Sequence, residues 1–466
     1  MFESYHGPRD TFALHDKRAI QLQADGIYHP RSNRSAISTF TPYEDVTHVA
    51  GTSRAIWLGT RRSVYVIPRK MFANETGPED FARALFAILA NRPGGDVQLA
   101  QMAEVDALAR NPAPVITTWI FVAICIAVFA LHLAVGERIW NVGYFSLPFV
   151  QDGDLWRLVT GNLLHGVPQF PLHMVLNLFA LTALGNLVER VLGPARTACI
   201  MGLAGVAAMA AGGVAAPSAL VGSSGIVFGL AAACLWLELY CTERLPAWLR
   251  IPRRSMFFFL GVNGILMLAI PFVSASAHIG GFLAGFVGTA LLTGLDIGRA
   301  RPGTAIRGLA ALVAAITVAA VGAAGFVAFA NPHFQADFNR RLAGLPNVSP
   351  FDLNDRAWTI AIDPDSSDQD RQAALEMAQR AVLETNRASP QILDTLAEIL
   401  FQLGHPELAA ETIREAIARA PRDSYYREQL RRFIGERGDR PDDSPFRRFE
   451  REEPRREWVP GPGLTV

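Results

Sequence analysis

Between Leu220 and Tyr240 the chain reads LVGSSGIVFGLAAACLWLELY. A Gly-Ser-Ser-Gly turn at Gly222–Gly225 runs straight into an apolar segment, with Ser224 at its first position. As a helix, Ser224–Tyr240 has 17 residues and extends about 25 Å at ~1.5 Å per residue. A hydrocarbon core is about 30 Å thick. Ser224 is therefore expected below one membrane surface, behind an irregular Gly/Ala/Pro-rich approach. Irregular backbone at that depth is tolerated only where it is buried in protein or lines a water-filled cavity. A helix start also gathers unpaired N–H groups and the positive end of the dipole, which favour a developing anion. A serine N-cap in a tight glycine turn would read the same way, so the rest of the chain must discriminate.

Apolar runs flank this stretch on both sides. Spans are expected at Val115–Val135, Leu172–Leu192, Thr197–Ala215, Ser224–Tyr240, Met256–Val273, Ala275–Leu295 and Gly308–Ala330. Only 14 of the 86 charged residues fall between Ala113 and Gly294. The other charges fill the two ends at a density ordinary for soluble domains. The whole-chain values, 18% charged and mean hydropathy +0.20, thus average unlike parts. A net charge of zero argues against a nucleic-acid partner, which needs a basic excess. The four cysteines lie in or beside apolar runs and make no CxxC pair, so neither a disulfide framework nor a metal site is expected.

Arginine distribution sets an expected orientation. Arg190 and Arg196, then Arg244, Arg250, Arg253 and Arg254, then Arg299, Arg301 and Arg307 mark alternate loops. Positive-inside places the N-terminus in the cytoplasm, and seven spans place the C-terminal region on the outer side; if Gly308–Ala330 does not span, that region is cytoplasmic.

The ends read as separate modules. Residues 1–110 alternate short β-type runs (Ala19–Gln23, Ala36–Phe40, Ala55–Leu58, Ser63–Ile67) with turns, and close on a helical period at Phe81–Ala90. This is a small α+β domain whose order resembles the pleckstrin-homology-like (PH-like) domains of some bacterial membrane proteins. Residues 113–298 form the membrane core and 306–331 the seventh helix. Residues 350–434 carry two units with a period of roughly 34–35 residues, the tetratricopeptide spacing. One holds Leu393, Leu396, Ala397, Gly404, Ala409, Ile413, Ala416 and Pro421, and the earlier one Trp358, Ala374, Ala378 and Ala381. An unrelated helical hairpin remains the alternative. The tail, 435–466, is Arg/Asp/Glu/Pro-rich and expected to be disordered.

Polar residues inside the spans carry the chemistry. His278 lies 54 positions after Ser224 and falls on the same membrane side, where it can accept the serine proton. His173 and Asn177, spaced i, i+4, share one helical face and offer donors for an oxyanion. Gly281 and Gly285 let another helix approach closely. No carboxylate is placed to complete a triad: Glu189 and Glu238 sit at the far ends of their spans, and Asp152 and Asp154 read as solvated loop residues. A Ser–His dyad is the better reading than a triad. The spans hold no HExxH motif, and no metal or other cofactor is expected.

Together these residues resemble the rhomboid intramembrane serine proteases over about Val115–Asp296. The motifs are Trp156-Arg157, His173-x-x-x-Asn177, Gly185 with Glu189-Arg190, Gly222-x-Ser224-Gly225 and Ala277-His278-x-x-Gly281. The resemblance implies a mostly α, polytopic fold, a six-helix bundle with the seventh helix and the terminal modules added. It implies Ser224 as nucleophile and His278 as base. His173, Asn177 and the Ser224 N–H would form the oxyanion hole. Phe228 would pack on the catalytic histidine, and Trp156-Arg157 would brace the first loop. The implied activity is endopeptidase cleavage of transmembrane protein substrates, in the bilayer of a bacterial inner (plasma) membrane. A catalytically inactive scaffold binding membrane clients is the alternative. A further protein partner is expected at the tetratricopeptide-like region. The segment between His165 and His173 is about three residues longer than usual for the family, which affects the loop but not the dyad.

Overall fold

The computed structural model describes residues 10–15, 18–30, 38–166, 171–215, 219–269, 273–293, 302–346, 348–441 and 464–465. The N-terminal region is a small β-rich domain. Strands β1 (Asp10–Ala13), β2 (Ala19–Leu22), β3 (Gly26–Pro30) and β4 (Ser38–Pro42) form one antiparallel sheet. Strands β5 (Val46–Gly51), β6 (Ala55–Thr60) and β7 (Val64–Pro68) form a second. Ile20, Leu22, Ile27 and Leu58 point into one core with Phe81, Leu85 and Leu89. The last three recur every four residues along helix α1 (Gly77–Ala90), the face its period predicts. Helix α2 (Gly95–Arg110) follows. Among the elements not anticipated from sequence are β5 and α2. Strand β5 escapes notice because Thr47 and His48 are buried in it as polar residues, and α2 because it buries little beyond Met102 and Val105.

Among the described residues, five helices are long and apolar enough to cross a membrane: α3 (Thr117–Val135), then, after the short α4 (Glu137–Gly143), α5 (Leu147–Gln151) and α6 (Arg157–Thr160), α7 (Leu172–Leu192), α8 (Pro194–Ala215), α11 (Ala275–Thr293) and α12 (Thr304–Ala330). Between α8 and α11 lie α9 (Ser224–Tyr240) and α10 (Arg253–Ala269), 17 residues each. The chain is a polytopic integral membrane protein. The α10 helix starts three residues before the expected Met256, and the end expected at Val273 crosses residues 270–272, outside the described residues.

Small residues set the packing of α8, α9 and α11. A Cβ added at Gly281 would lie 2.2 Å from the Gly225 carbonyl oxygen, and one at Gly285 2.3 Å from that of Gly229. On the other side of α9, Gly225 and Gly229 leave room for Ala208 and Ala204. Glu189 is fully buried and caps α3, accepting from the backbone of Ile116, Thr117 and Thr118 and from Thr118 Oγ1. A carboxylate there answers the orphan N–H groups and positive dipole of the helix start.

The two faces of this core are fastened differently. On the N-terminal face, Arg250 makes a buried two-pronged contact with Glu238 (2.7 and 2.9 Å) and donates to Thr60 O at 2.7 Å. Nearby, Ala247 N donates to His48 Nδ1 at 3.2 Å. On the opposite face, Arg157 is 1% exposed. It bonds Asp154 at 2.9 Å and Tyr144 O at 2.7 Å, and lies 4.3 Å from the Phe149 ring centre. Trp156 Nε1 donates to Val142 O at 3.0 Å. Helix α13 (Phe334–Gly344) closes over this lobe: Phe338 stacks on Phe149, and Arg341 reaches Asp152 at 2.6 Å and Asp154 at 3.2 Å. The expectation that both aspartates are solvated is corrected here, since Asp154 is 4% exposed and bonded to two arginines. The cause is α13, whose position could not be read from local sequence.

Beyond α13 come α14 (Pro350–Ile362), α15 (Asp368–Glu384), α16 (Pro390–Gln402), α17 (Pro406–Arg419) and α18 (Ser424–Phe433). Ser349, Ser367, Ser389 and Asp423 cap four of them. The helices pair α14 with α15 and α16 with α17, and α18 packs on the second pair. Ala374 and Ala409, and Ala381 and Ala416, are fully buried at equivalent places 35 positions apart. Of the tail expected to be disordered, residues 442–463 and 466 lie outside the described residues, and Leu464–Thr465 runs parallel to Ala219–Leu220.

Candidate active site

Ser224 opens α9, and His278 lies in the first turn of α11. Because the glycine contacts above bring these helices to backbone distance, Ser224 Oγ and His278 Nε2 stand 2.7 Å apart. One ring contact and one backbone bond fix His278 further. Phe228, one turn along α9, stacks on it at 4.5 Å between ring centres and 11° between planes, and His278 N bonds Ser274 O at 3.2 Å. His278 Nδ1 is buried without a hydrogen-bond partner among the described residues. The structure thus pairs the serine with a histidine that no carboxylate among the described residues orients; ring stacking and helix packing hold it instead.

The approach to Ser224 is shaped by Gly222, whose φ of +114° is a conformation other residues rarely adopt. A Cβ there would also lie 2.8 Å from His173 Cε1. Gly222 N donates to Gly161 O at 2.8 Å, tying the turn to α6. His173 therefore covers the turn from α7, and its Nδ1 is likewise buried without a partner. Asn177 is 8% exposed and donates one amide hydrogen to His173 O at 2.9 Å. One of the two amide hydrogens expected for an anion is thus already used within α7.

His165 and Ser223 escaped the sequence reading. His165 Nε2 lies 2.8 Å from Ser223 Oγ and 3.3 Å from Ser223 N, while its Nδ1 faces Leu163 O at 3.1 Å. A carbonyl at Nδ1 calls for the proton there, so Nε2 is the acceptor for both Ser223 groups. Two adjacent serines thus bond two different histidines. Ser223 is fully buried and Ser224 is not, so only the second can meet a reactant. The available signal was a second serine in the Gly-Ser-Ser-Gly turn and a histidine eight positions before His173. Neither has a helical period to single it out.

The remaining expected residues are less closely placed. Gly225, Gly281 and Gly285 act through the helix contacts already described, and Trp156 and Arg157 in the α4–α6 lobe. The fully buried Glu189 is engaged at α3.

Chemically, the arrangement offers a hydroxyl beside an acceptor nitrogen, at a helix start whose first N–H groups have no intrahelical partners. That is a nucleophile, a base and a potential oxyanion site in one place.

Residues 152–294 match the family model of the Rhomboid domain. The chain is 30% identical over 192 residues to Rhomboid protease GluP of Bacillus subtilis (strain 168), covering 40% of this chain and 36% of that protein. It is 31% identical over 170 residues to RHOMBOID-like protein 5 of Arabidopsis thaliana, 35% of this chain and 52% of that one. With RHOMBOID-like protein 6, mitochondrial, of the same plant, identity is 31% over 144 residues, 29% and 43% of the two chains. The aligned part thus spans between about a third and a half of each relative. These matches support the rhomboid family for the membrane core.

Proposed function

We propose that this chain is a rhomboid-type intramembrane serine endopeptidase acting through a Ser224–His278 dyad. The observation that carries the reading is the 2.7 Å contact between Ser224 Oγ and His278 Nε2 at the start of α9. In this reading Ser224 Oγ attacks a peptide carbonyl carbon while its proton passes to His278 Nε2. The oxyanion formed is met by the Ser224 N–H, His173 and the remaining Asn177 amide hydrogen. Collapse breaks the C–N bond, the leaving amine takes the proton from His278, and water then hydrolyses the acyl-enzyme by the same steps in reverse order. With no carboxylate among the described residues to hold it, His278 depends on Phe228 and on the α9–α11 packing for its orientation. Gly222 and Gly225 give the turn and its close packing, and Trp156 and Arg157 brace the lobe beside the site.

The substrates are transmembrane segments of other proteins that unwind locally, since only extended backbone can present its carbonyl to Ser224. Small or helix-breaking residues near the scissile bond lower that cost. We read residues 1–110, 113–298, 306–331, 350–434 and 435–466 as N-terminal domain, protease core, seventh span, tetratricopeptide-like region and tail. The protein sits in a bacterial inner membrane, its N-terminus cytoplasmic and its C-terminal helices outside, where they recruit a substrate or adaptor protein. The docking of the N-terminal domain at one face and of α13 at the other supports opposite sides for the two ends.

Ser224→Ala and His278→Ala are each expected to lower cleavage of a single-span reporter in cells by at least about 10⁴-fold. A fluorophosphonate probe should label wild type at Ser224. Undiminished cleavage by Ser224→Ala refutes the reading and leaves the client-binding scaffold.

A further inference from the structure

Helices α14, α16 and α18 carry polar residues that meet across the C-terminal region. Trp358 stands on α14, Asp394 and Glu398 on α16, and Gln429 and Arg432 on α18. Gln429 Nε2 donates to Asp394 Oδ1 at 3.1 Å, and Arg432 grips Glu398 at 2.7 and 3.2 Å. The chain leaves α18 through Gly435, whose φ is +84°, and comes back to the same residues. Arg440 Nη2 donates to Glu398 Oε1 at 2.6 Å, and its guanidinium lies 5.8 Å from the centre of the Trp358 ring. Pro441, the next residue, is buried. A proline biases the residue before it toward extended backbone, so the arginine is presented on extended chain.

Two guanidinium groups answer two carboxylates here, but they fit unequally. Asp394 and Glu398 are both fully buried, and a buried charge is costly unless it is paired. Arg432 answers Glu398 well: it is 8% exposed, bonds both carboxylate oxygens and lies 4.6 Å from the Phe401 ring centre. Arg440 fits less well. It comes from irregular chain, and its side chain is 29% exposed. Its Nε is shielded from solvent without a hydrogen-bond partner among the described residues, and so is Asp394 Oδ2. An unmet donor and an unmet acceptor thus remain in one charge cluster. A guanidinium that is free to settle can use its whole fork on carboxylates, and the Trp358 ring suits the same group. The socket is made for an arginine, and the chain's own arginine fills it incompletely.

We propose that Trp358, Asp394 and Glu398 form a docking socket for an extended, arginine-bearing segment of a partner protein, and that Arg440-Pro441 is its resident occupant. The partner's arginine takes the place of Arg440 between the Trp358 ring and the two carboxylates. The displaced tail leaves with its own arginine, so docking and tail release are one exchange. This deepens the reading of the C-terminal helices as a recruiting surface and rests on it; the dyad is not involved.

The test uses the full-length protein in detergent micelles and a fluorescent peptide with the sequence of residues 435–441, read by anisotropy. A tethered segment competes at an effective concentration of the order of millimolar, so wild type should bind the free peptide weakly. Arg440→Gln empties the socket and should bind it at least about tenfold more tightly. Arg440→Lys, which keeps the charge but not the fork, should fall between the two. On Arg440→Gln, a peptide with glutamine in the place of Arg440 should bind at least about tenfold more weakly, a control that asks nothing of the protein's folding. Asp394→Asn added to Arg440→Gln should weaken binding about fivefold. Equal binding by wild type and Arg440→Gln, or equal binding of the two peptides, overturns the socket. A single-span reporter carrying the peptide sequence beside its span tests the recruiting reading separately. Peptide binding without faster cleavage of that reporter by Arg440→Gln keeps the socket and removes recruitment of substrates.

Discussion

Helices α10 and α11 are both apolar, but α10 carries two glycines and α11 four, and the structure uses them in opposite ways. In α11, Gly281 and Gly285 press on the backbone of α9. In α10, Gly261 and Gly264 meet nothing within 4 Å, and Phe258 and Ile265 are 74% and 67% exposed. The contrast separates a part that must be exact from a part that can adapt. A Ser–His pair needs its two atoms held within a few tenths of an ångström, and backbone-to-backbone packing leaves no soft side chain in between. A helix with few buried contacts is at the low-stability end of a fold.

This contrast can be broken most directly by exchanging the two environments. Gly285→Leu places a side chain where a Cβ alone would lie 2.3 Å from the Gly229 carbonyl oxygen. It should abolish fluorophosphonate labelling, with a loss of at least about 10²-fold, whereas Gly264→Leu should label like wild type. Equal loss in both variants would mean that α10 is packed as tightly as α11. A smaller effect sharpens the comparison within the rigid half. His165→Ala removes the acceptor for Ser223 Oγ and Ser223 N. With a loss of about 1–3 kcal/mol, kcat should fall by about 5- to 150-fold with KM little changed. A change in KM alone would show that the pair shapes substrate binding rather than the turn before Ser224.

The smallest effect lies outside the membrane, where alanine rather than glycine brings the C-terminal helices together. Asp394 is fully buried there, and burial raises its pKa from 3.8 to about 7. A raised carboxyl pKa gives stability that is complete below the unfolded value and is lost as pH rises through the folded one. Hydrogen exchange in α16 and α18 should therefore quicken, beyond the intrinsic rate increase, between about pH 4 and pH 7. Asp394→Asn should flatten this part of the profile; an unchanged profile would place the titration elsewhere.

Much of the site was legible because membrane spans restrict what polar residues can be. Ser224, His278, His173 and Asn177 stood out against apolar runs, and the structure brings the first two into hydrogen-bond contact and sets His173 over the turn before Ser224. The bounds of α9 were read correctly from the glycine turn and the end of the apolar run. His165 and Ser223 were not legible, because their significance is their contact, across 58 positions of chain. Asp154 was misread for the same reason: its loop is polar, and only α13, more than 180 positions later, buries it.

Sequence alone determined that the chain has a membrane-embedded middle and charged modules at both ends, because periodicity and charge density are local properties. It also determined which few polar residues the membrane has to accommodate. Tertiary structure decided which of them meet, and how closely the helices that carry them approach. Those outcomes depend on distances between helices, which no single stretch of sequence encodes.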